Sequence, residues 1–269
     1  MTEMMPNRPE INQPLAEPSK NIMIYSLHRS RGNALLSSCL RPNKLCEPFN
    51  TSTRIWPQYP TLTWADYWEQ LDTLSDSVWP ESARQWLLTV MERPNTVVKI
   101  HGTNLTNTPW IREWWSRIEQ NTAWRLITLE RKDRLAQMIS FVIALKHRFY
   151  LAEQIANADT TPVPCGEWQL NEVRRIIEDH LKWYPKTGEI ITFAQRPADL
   201  FQQDPARIEQ PNQHSDRRVH LIEGGADSIE RIARIVEEYR KDWDQRILAL
   251  DPKWQFDEER EPEYYSPAG

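Results

Sequence analysis

Apolar residues fall along this chain in short unbroken runs separated by longer stretches of helical period, and that alternation predicts an α/β protein. Ile22-Met23-Ile24-Tyr25, Thr96-Val97-Val98-Lys99-Ile100 and the segment from Trp124 to Leu129 are apolar or β-branched without alternation. Strands buried on both faces of a parallel sheet read this way. A last strand is predicted over Glu189 to Phe193. Spacings of three and four predict the helices between. Trp64, Tyr67/Trp68, Leu71 and Leu74, then Ala83, Trp86/Leu87 and Val90, give two amphipathic helices between Thr63 and Glu92, the second opened by Pro80-Glu81-Ser82. Pro109 to Glu119 reads as a short helix. A long one opens at Glu130, with Leu135, Met138/Ile139, Val142, Leu145 and Phe149 on its stripe. Gln169 to Leu181 and Asp227 to Leu248 complete the set, the latter with Ile229, Ile232, Ile235/Val236 and Tyr239 on one face. Strands alternating with helices predict a helix-rich three-layer sandwich around a mainly parallel sheet.

The ends of the chain lack this patterning. Residues 1–20 carry Pro6, Pro9, Pro14 and Pro18 with almost no apolar period, so they are expected to be a disordered arm before a single domain over residues 21–250. Residues 251–269 form an acidic tail, and Asp257, Glu258, Glu259, Glu261 and Glu263 against Arg260 account for most of the net charge of −5. That charge speaks against nucleic acid as a partner. Cys39, Cys46 and Cys165 have no paired spacing, so neither a disulfide framework nor a structural metal is expected. No apolar run suits a signal peptide or a membrane span, and the expectation is a soluble, cytoplasmic protein. The thirteen tryptophans suit core packing better than an apolar acceptor pocket.

Chemistry gathers where the strands stop. The first breaks into Ser26-Leu27-His28-Arg29-Ser30-Arg31-Gly32-Asn33, followed at once by helical Ala34-Leu35-Leu36. This is a strand, a polar turn and a helix start that Ser30, Gly32 or Asn33 can cap. Backbone amides, the helix dipole and the guanidinium of Arg29 or Arg31 converge there on an anion site suited to phosphate or sulfate. The glycine-rich loop ending in Lys-Ser or Lys-Thr is absent, which disfavours an ordinary ATPase or GTPase. The strand over 96–100 delivers Lys99 and His101 to its carboxyl end, where chemistry gathers in parallel sheets. Its histidine is either a catalytic base or a structural residue. Glu47, in Leu45-Cys46-Glu47-Pro48-Phe49-Asn50, is either a second base or a surface turn residue. Arg131, at the end of another strand, and Ser140, two turns into the following helix, can reach one phosphate together.

These segments resemble the sulfotransferases that use 3′-phosphoadenosine 5′-phosphosulfate (PAPS). His28-Arg29-Ser30-Arg31-Gly32-Asn33-Ala34-Leu35-Leu36 is similar to their 5′-phosphosulfate loop, departing from it at His28 for Pro, Gly32 for Ser and Asn33 for Ser or Thr. Lys99 and His101 resemble the family's Lys-Thr-His step. Arg131-Lys132-Asp133-Arg134-Leu135-Ala136-Gln137-Met138-Ile139-Ser140 resembles the 3′-phosphate motif of the trehalose-type bacterial members, with Met138 in place of the second Ala. The resemblance covers roughly residues 22–149. It implies the P-loop-like sulfotransferase fold and transfer of a sulfuryl group to a hydroxyl or amine on a small-molecule or glycan acceptor, with no metal. It assigns Arg29, Ser30, Arg31, Gly32, Asn33, Arg131 and Ser140 to the donor nucleotide, Arg29 also to the leaving phosphate, and His101 or Glu47 to the base. Two alternatives stand beside it: an ATP-using kinase of a related fold, and a degenerate member kept as a binding protein.

Overall fold

Ile22 to Tyr25 sit at the centre of the sheet, and their side chains divide the molecule into two cores. The computed structural model describes residues 20–41, 43–46, 88–89, 91–147, 161–203 and 222–256. In chain order its elements are β1 (Asn21–Ser26), α1 (Gly32–Ser38), β2 (Asn43–Cys46), β3 (Thr96–Ile100), α2 (Gly102–Asn107), α3 (Pro109–Ile118), β4 (Trp124–Glu130), α4 (Arg134–His147), α5 (Glu167–Lys182), β5 (Glu189–Thr192) and α6 (Gly225–Leu250). All of the expected arm but Lys20, nearly all of the helical pair at 63–92, Glu47 and most of the acidic tail lie outside the described residues.

The five strands run parallel in the order β2-β3-β1-β4-β5. β1 pairs on one side with β3, Ile22 opposite Val97 and Tyr25 opposite Ile100, and on the other with β4, Asn21 opposite Trp124 and Ser26 opposite Leu129. Because strand side chains alternate, Ile22 and Ile24 pack with Val97, Ile127, Leu35 and Leu36 on the α1 face. Met23 and Tyr25 pack with Val98, Ile100, Trp114, Ile139, Ile177 and Trp243 on the face carrying α2 to α6. Each of these fully buried β1 side chains contributes roughly 1.5–3 kcal/mol.

From β1 the chain passes over β3 to reach the edge strand β2, whereas from β3 it crosses β1 to reach β4. Neighbouring strands therefore send their connections in opposite directions around β1, which opens a crevice beyond the carboxyl ends of β3, β1 and β4. The order differs from the 3-2-1-4-5-6 arrangement of dinucleotide-binding sheets.

Local boundaries depart from the sequence reading for identifiable reasons. α1 is capped by Arg31 in a left-handed conformation with no side-chain cap, in place of Ser30, Gly32 or Asn33. Glu130 is the last residue of β4, and α4 opens at Arg134 because Asp133 accepts the Ala136 amide through Oδ1 at 2.8 Å. β2, four residues long, and α2, six, were not foreseen.

Candidate functional site

The turn after β1 is held from above by the turn after β4. Arg29 and Arg31 both have φ of 63°. Left-handed backbone costs a non-glycine residue about 1–2 kcal/mol, and it persists where surrounding contacts over-determine it. Those contacts come from the end of β4 and from α4. Arg131 Nη1 donates to the Arg29 carbonyl at 3.1 Å, Gln137 Nε2 donates to the His28 carbonyl at 2.8 Å, and Arg29 Nε donates to Ser140 Oγ at 3.0 Å. Accepting from Arg29 leaves the Ser140 hydroxyl its own proton to donate onward.

Inside the turn, Ser30 is buried and its Oγ has no hydrogen-bond partner. Such a desolvated hydroxyl costs about 1–3 kcal/mol and marks a place where a polar group fits.

From the other side β3 supplies Lys99, buried along its length, with Nζ donating to Asn33 Oδ1 at 2.6 Å. Its side chain crosses Gly32 so closely that a Cβ there would lie 2.7 Å from Lys99 Cε. This accounts for glycine where the resembling loop has serine. The described hydrogen bonds around the turn thus bring together three cations, Arg29, Lys99 and Arg131, and no carboxylate. No family model, curated protein or solved structure matches the chain.

One residue beyond β3, His101 stands at the start of α2, where its amide donates to Asn104 Oδ1 at 2.8 Å. α2 lies directly on α5, since a Cβ on Gly102 would run into the Asp179 carbonyl. His101 Nδ1 lies 2.6 Å from the Ser26 carbonyl, which only accepts, so Nδ1 carries the proton of the neutral ring and Nε2 its lone pair. The His28 ring lies against it, centroids 4.0 Å apart.

The structure therefore gathers Arg29, Ser30, Gly32, Asn33, His101, Arg131 and Ser140 at one end of the sheet. Arg31 is exposed and turns toward Phe193, its guanidinium carbon 5.9 Å from the ring centre. Glu47 lies outside the described residues. His28 and Gln137 went unassigned in the sequence reading, and Lys99 was placed at the strand end without a role. Their common signal was proximity to the strand ends.

A second buried polar cluster lies one residue from Arg131. Glu130 Oε1 accepts from the Tyr184 hydroxyl at 2.9 Å, and Oε2 accepts from Trp243 Nε1 at 3.2 Å. His180 Nε2 lies 3.4 Å from Oε1, and Tyr25 donates to the His180 carbonyl at 2.7 Å. Burial, then the Glu130 carboxylate, pushes the hydroxyls of Tyr25 and Tyr184 well above the ordinary tyrosine range. Nearby, a cavity of about 450 Å³ between the β4–α4 turn and α6 is lined by Arg131, Arg134, Val236, Ile247, Trp254 and Phe256 among others. On its wall Arg134 pairs with Asp244 at 2.7 Å, and Arg234 and Arg240 pair with Glu230 and Glu237.

Proposed function

We propose that the protein is a sulfotransferase that uses PAPS and a hydroxyl or amine acceptor. The observation that carries this is the direct contact of Arg29 with Arg131 and Ser140, residues from two motifs about a hundred positions apart that the resemblance assigns to the two phosphate ends of one nucleotide. The orphaned Ser30 hydroxyl, next to Arg29 in the chain, suits the phosphosulfate end.

In this reading the acceptor oxygen or nitrogen forms a bond to sulfur as the bond from sulfur to the bridging oxygen breaks. The electron pair stays on the 5′-phosphate, and the acceptor's proton passes to the base. Arg29 stabilises the charge that develops on the bridging oxygen, with Lys99 and the Ser30 hydroxyl beside it. His101 Nε2 takes the proton, since the Nδ1–H bond to Ser26 leaves that nitrogen basic; Glu47 is the competing base. Arg131 and the Ser140 hydroxyl hold the 3′-phosphate. An ATP-using kinase is less well supported, because the carboxylates at the end of β4, Glu130 and Asp133, are occupied by Tyr184, Trp243 and the start of α4.

Thermal stabilisation by nucleotides tests the reading without an identified acceptor. At about a hundred times its dissociation constant a ligand adds roughly 2.7 kcal/mol to stability. We expect 3′-phosphoadenosine 5′-phosphate to stabilise the protein clearly more than ADP or ATP, and the Arg131→Ala, Ser140→Ala double variant to lose most of that difference. Equal stabilisation by ATP, unchanged in the double variant, would favour the kinase, and stabilisation by none of them would remove the nucleotide altogether.

A further inference from the structure

We propose that His28 is a positioning residue for His101, and that the two closely packed rings titrate as one unit holding at most one proton near neutral pH. The inference rests on His101 as the base and concerns a residue that stands where the resembling loop has proline.

His28 is clamped. Its Nε2 lies 3.0 Å from Thr103 Oγ1 on α2, its carbonyl accepts from Gln137 on α4, and its ring packs 5.7 Å from that of Phe141. Against this fixed plane the His101 ring lies at 4.0 Å with an inclination of 32°, and its Nδ1 is tied to the Ser26 carbonyl at 2.6 Å, with the Ser26 hydroxyl 3.3 Å away. Two held edges and one held face fix both the tautomer and the direction of Nε2.

Two imidazoliums at this separation repel, so the first proton on the pair makes the second harder to add. Among the described residues, the charged neighbours in the chain and across the turn act in the same direction. Arg29 follows His28 in the chain, Lys99 lies two residues before His101 on β3, and Arg131 reaches in from the β4–α4 turn. α2 contributes uncharged Thr103 and Asn104, and α4 uncharged Gln137, Ser140 and Phe141. The facing carboxylate of α5, Asp179, accepts from Thr106 at 2.6 Å. In this setting His28 keeps a lone pair on its neighbour and holds that neighbour's ring in place.

The test is a pH titration of the imidazole nitrogens by NMR on the full chain without ligand, with signals assigned through His28→Gln and His101→Gln. In the wild type both rings should titrate over a wider range than a single independent group. In His28→Gln the His101 curve should narrow to one step with its midpoint raised by about a pH unit. His28→Phe should do the same, because it keeps the packed ring and removes the charge, while the proton stays on Nδ1 of His101. Independent single-step curves in the wild type overturn the proposal, as does a His101 curve unchanged by either substitution. If the variants do not fold, the wild-type curves decide it. Stabilisation by 3′-phosphoadenosine 5′-phosphate is read separately. Binding without coupled titration removes the pair and keeps the enzyme, and coupled titration without binding removes the enzyme and keeps the pair.

Discussion

Glu130 and Arg131 are neighbours in sequence and both buried, yet they serve two polar clusters of opposite character. Glu130 turns under the sheet, where Tyr184, Trp243 and His180 surround its oxygens. Arg131 turns over the end of the sheet and supports the left-handed turn that carries the buried Ser30 hydroxyl, which has no hydrogen-bond partner. The Glu130 carboxylate, with a donor on each oxygen, specifies how α5 and α6 dock, whereas the Ser30 hydroxyl at the turn has no donor or acceptor opposite it.

The sharpest way to break this contrast is Glu130→Ala, which leaves the Tyr184 hydroxyl and the Trp243 indole N–H as buried orphans. We expect it to cost roughly 2–5 kcal/mol in urea unfolding, with nucleotide affinity of the folded fraction unchanged. A stable variant that has lost nucleotide binding would reverse the roles of the two clusters. Arg29→Ala should behave in the opposite manner. It retains a side chain on the left-handed backbone, so stability moves little, but losing a charge-assisted contact of about 1.5–3 kcal/mol weakens 3′-phosphoadenosine 5′-phosphate roughly 10- to 150-fold by calorimetry.

The Glu130 cluster also has a pH signature. Tyr25 and Tyr184 have hydroxyl pKa values raised in the folded state, so their contribution is complete below the unfolded value near 10 and declines as pH rises above it. Each should remove about 1.4 kcal/mol per pH unit above that point, and Tyr184→Phe should make the alkaline loss of stability shallower by one such step. An unaltered slope in denaturant melts from pH 9 to 11 counts against the burial argument. Smaller still is Gly32→Ala. Its Cβ displaces Lys99 from Asn33, and we expect about 1 kcal/mol lost in nucleotide affinity, against no change if Lys99 plays no part in holding the anion.

The central strands and the Arg131 to Ser140 spacing were legible because both follow fixed periods. Ile22 to Tyr25 had to be buried on two faces, and a helix after a strand end had to carry Ser140 back over that end. β2 was not legible, since four residues opening with Asn43 and Lys44 show no period, and their strand character comes from pairing with Thr96 to Lys99. The left-handed Arg31 cap was equally hidden, because arginine is an unusual residue there and its conformation is imposed by the contacts on the neighbouring Arg29 and His28. His28 offered only a departure from a motif; its meaning depends on a ring 73 positions away in the chain.

The strand order also bears on how the chain reaches this state. β1 pairs with β3 and β4, so the centre of the sheet joins residues 21–26 to residues 96–100 and 124–130. Closing loops of this length before any pairing rewards them is slow, and parallel sheets of high contact order fold on the slow side of the range for their size. On the ribosome β1 must wait for both partners, and Glu130 must wait for Trp243, 113 residues further on. Ile22 to Tyr25, an apolar run without charge or proline, is exposed throughout that interval, which makes it the segment where aggregation would begin and where a chaperone would bind.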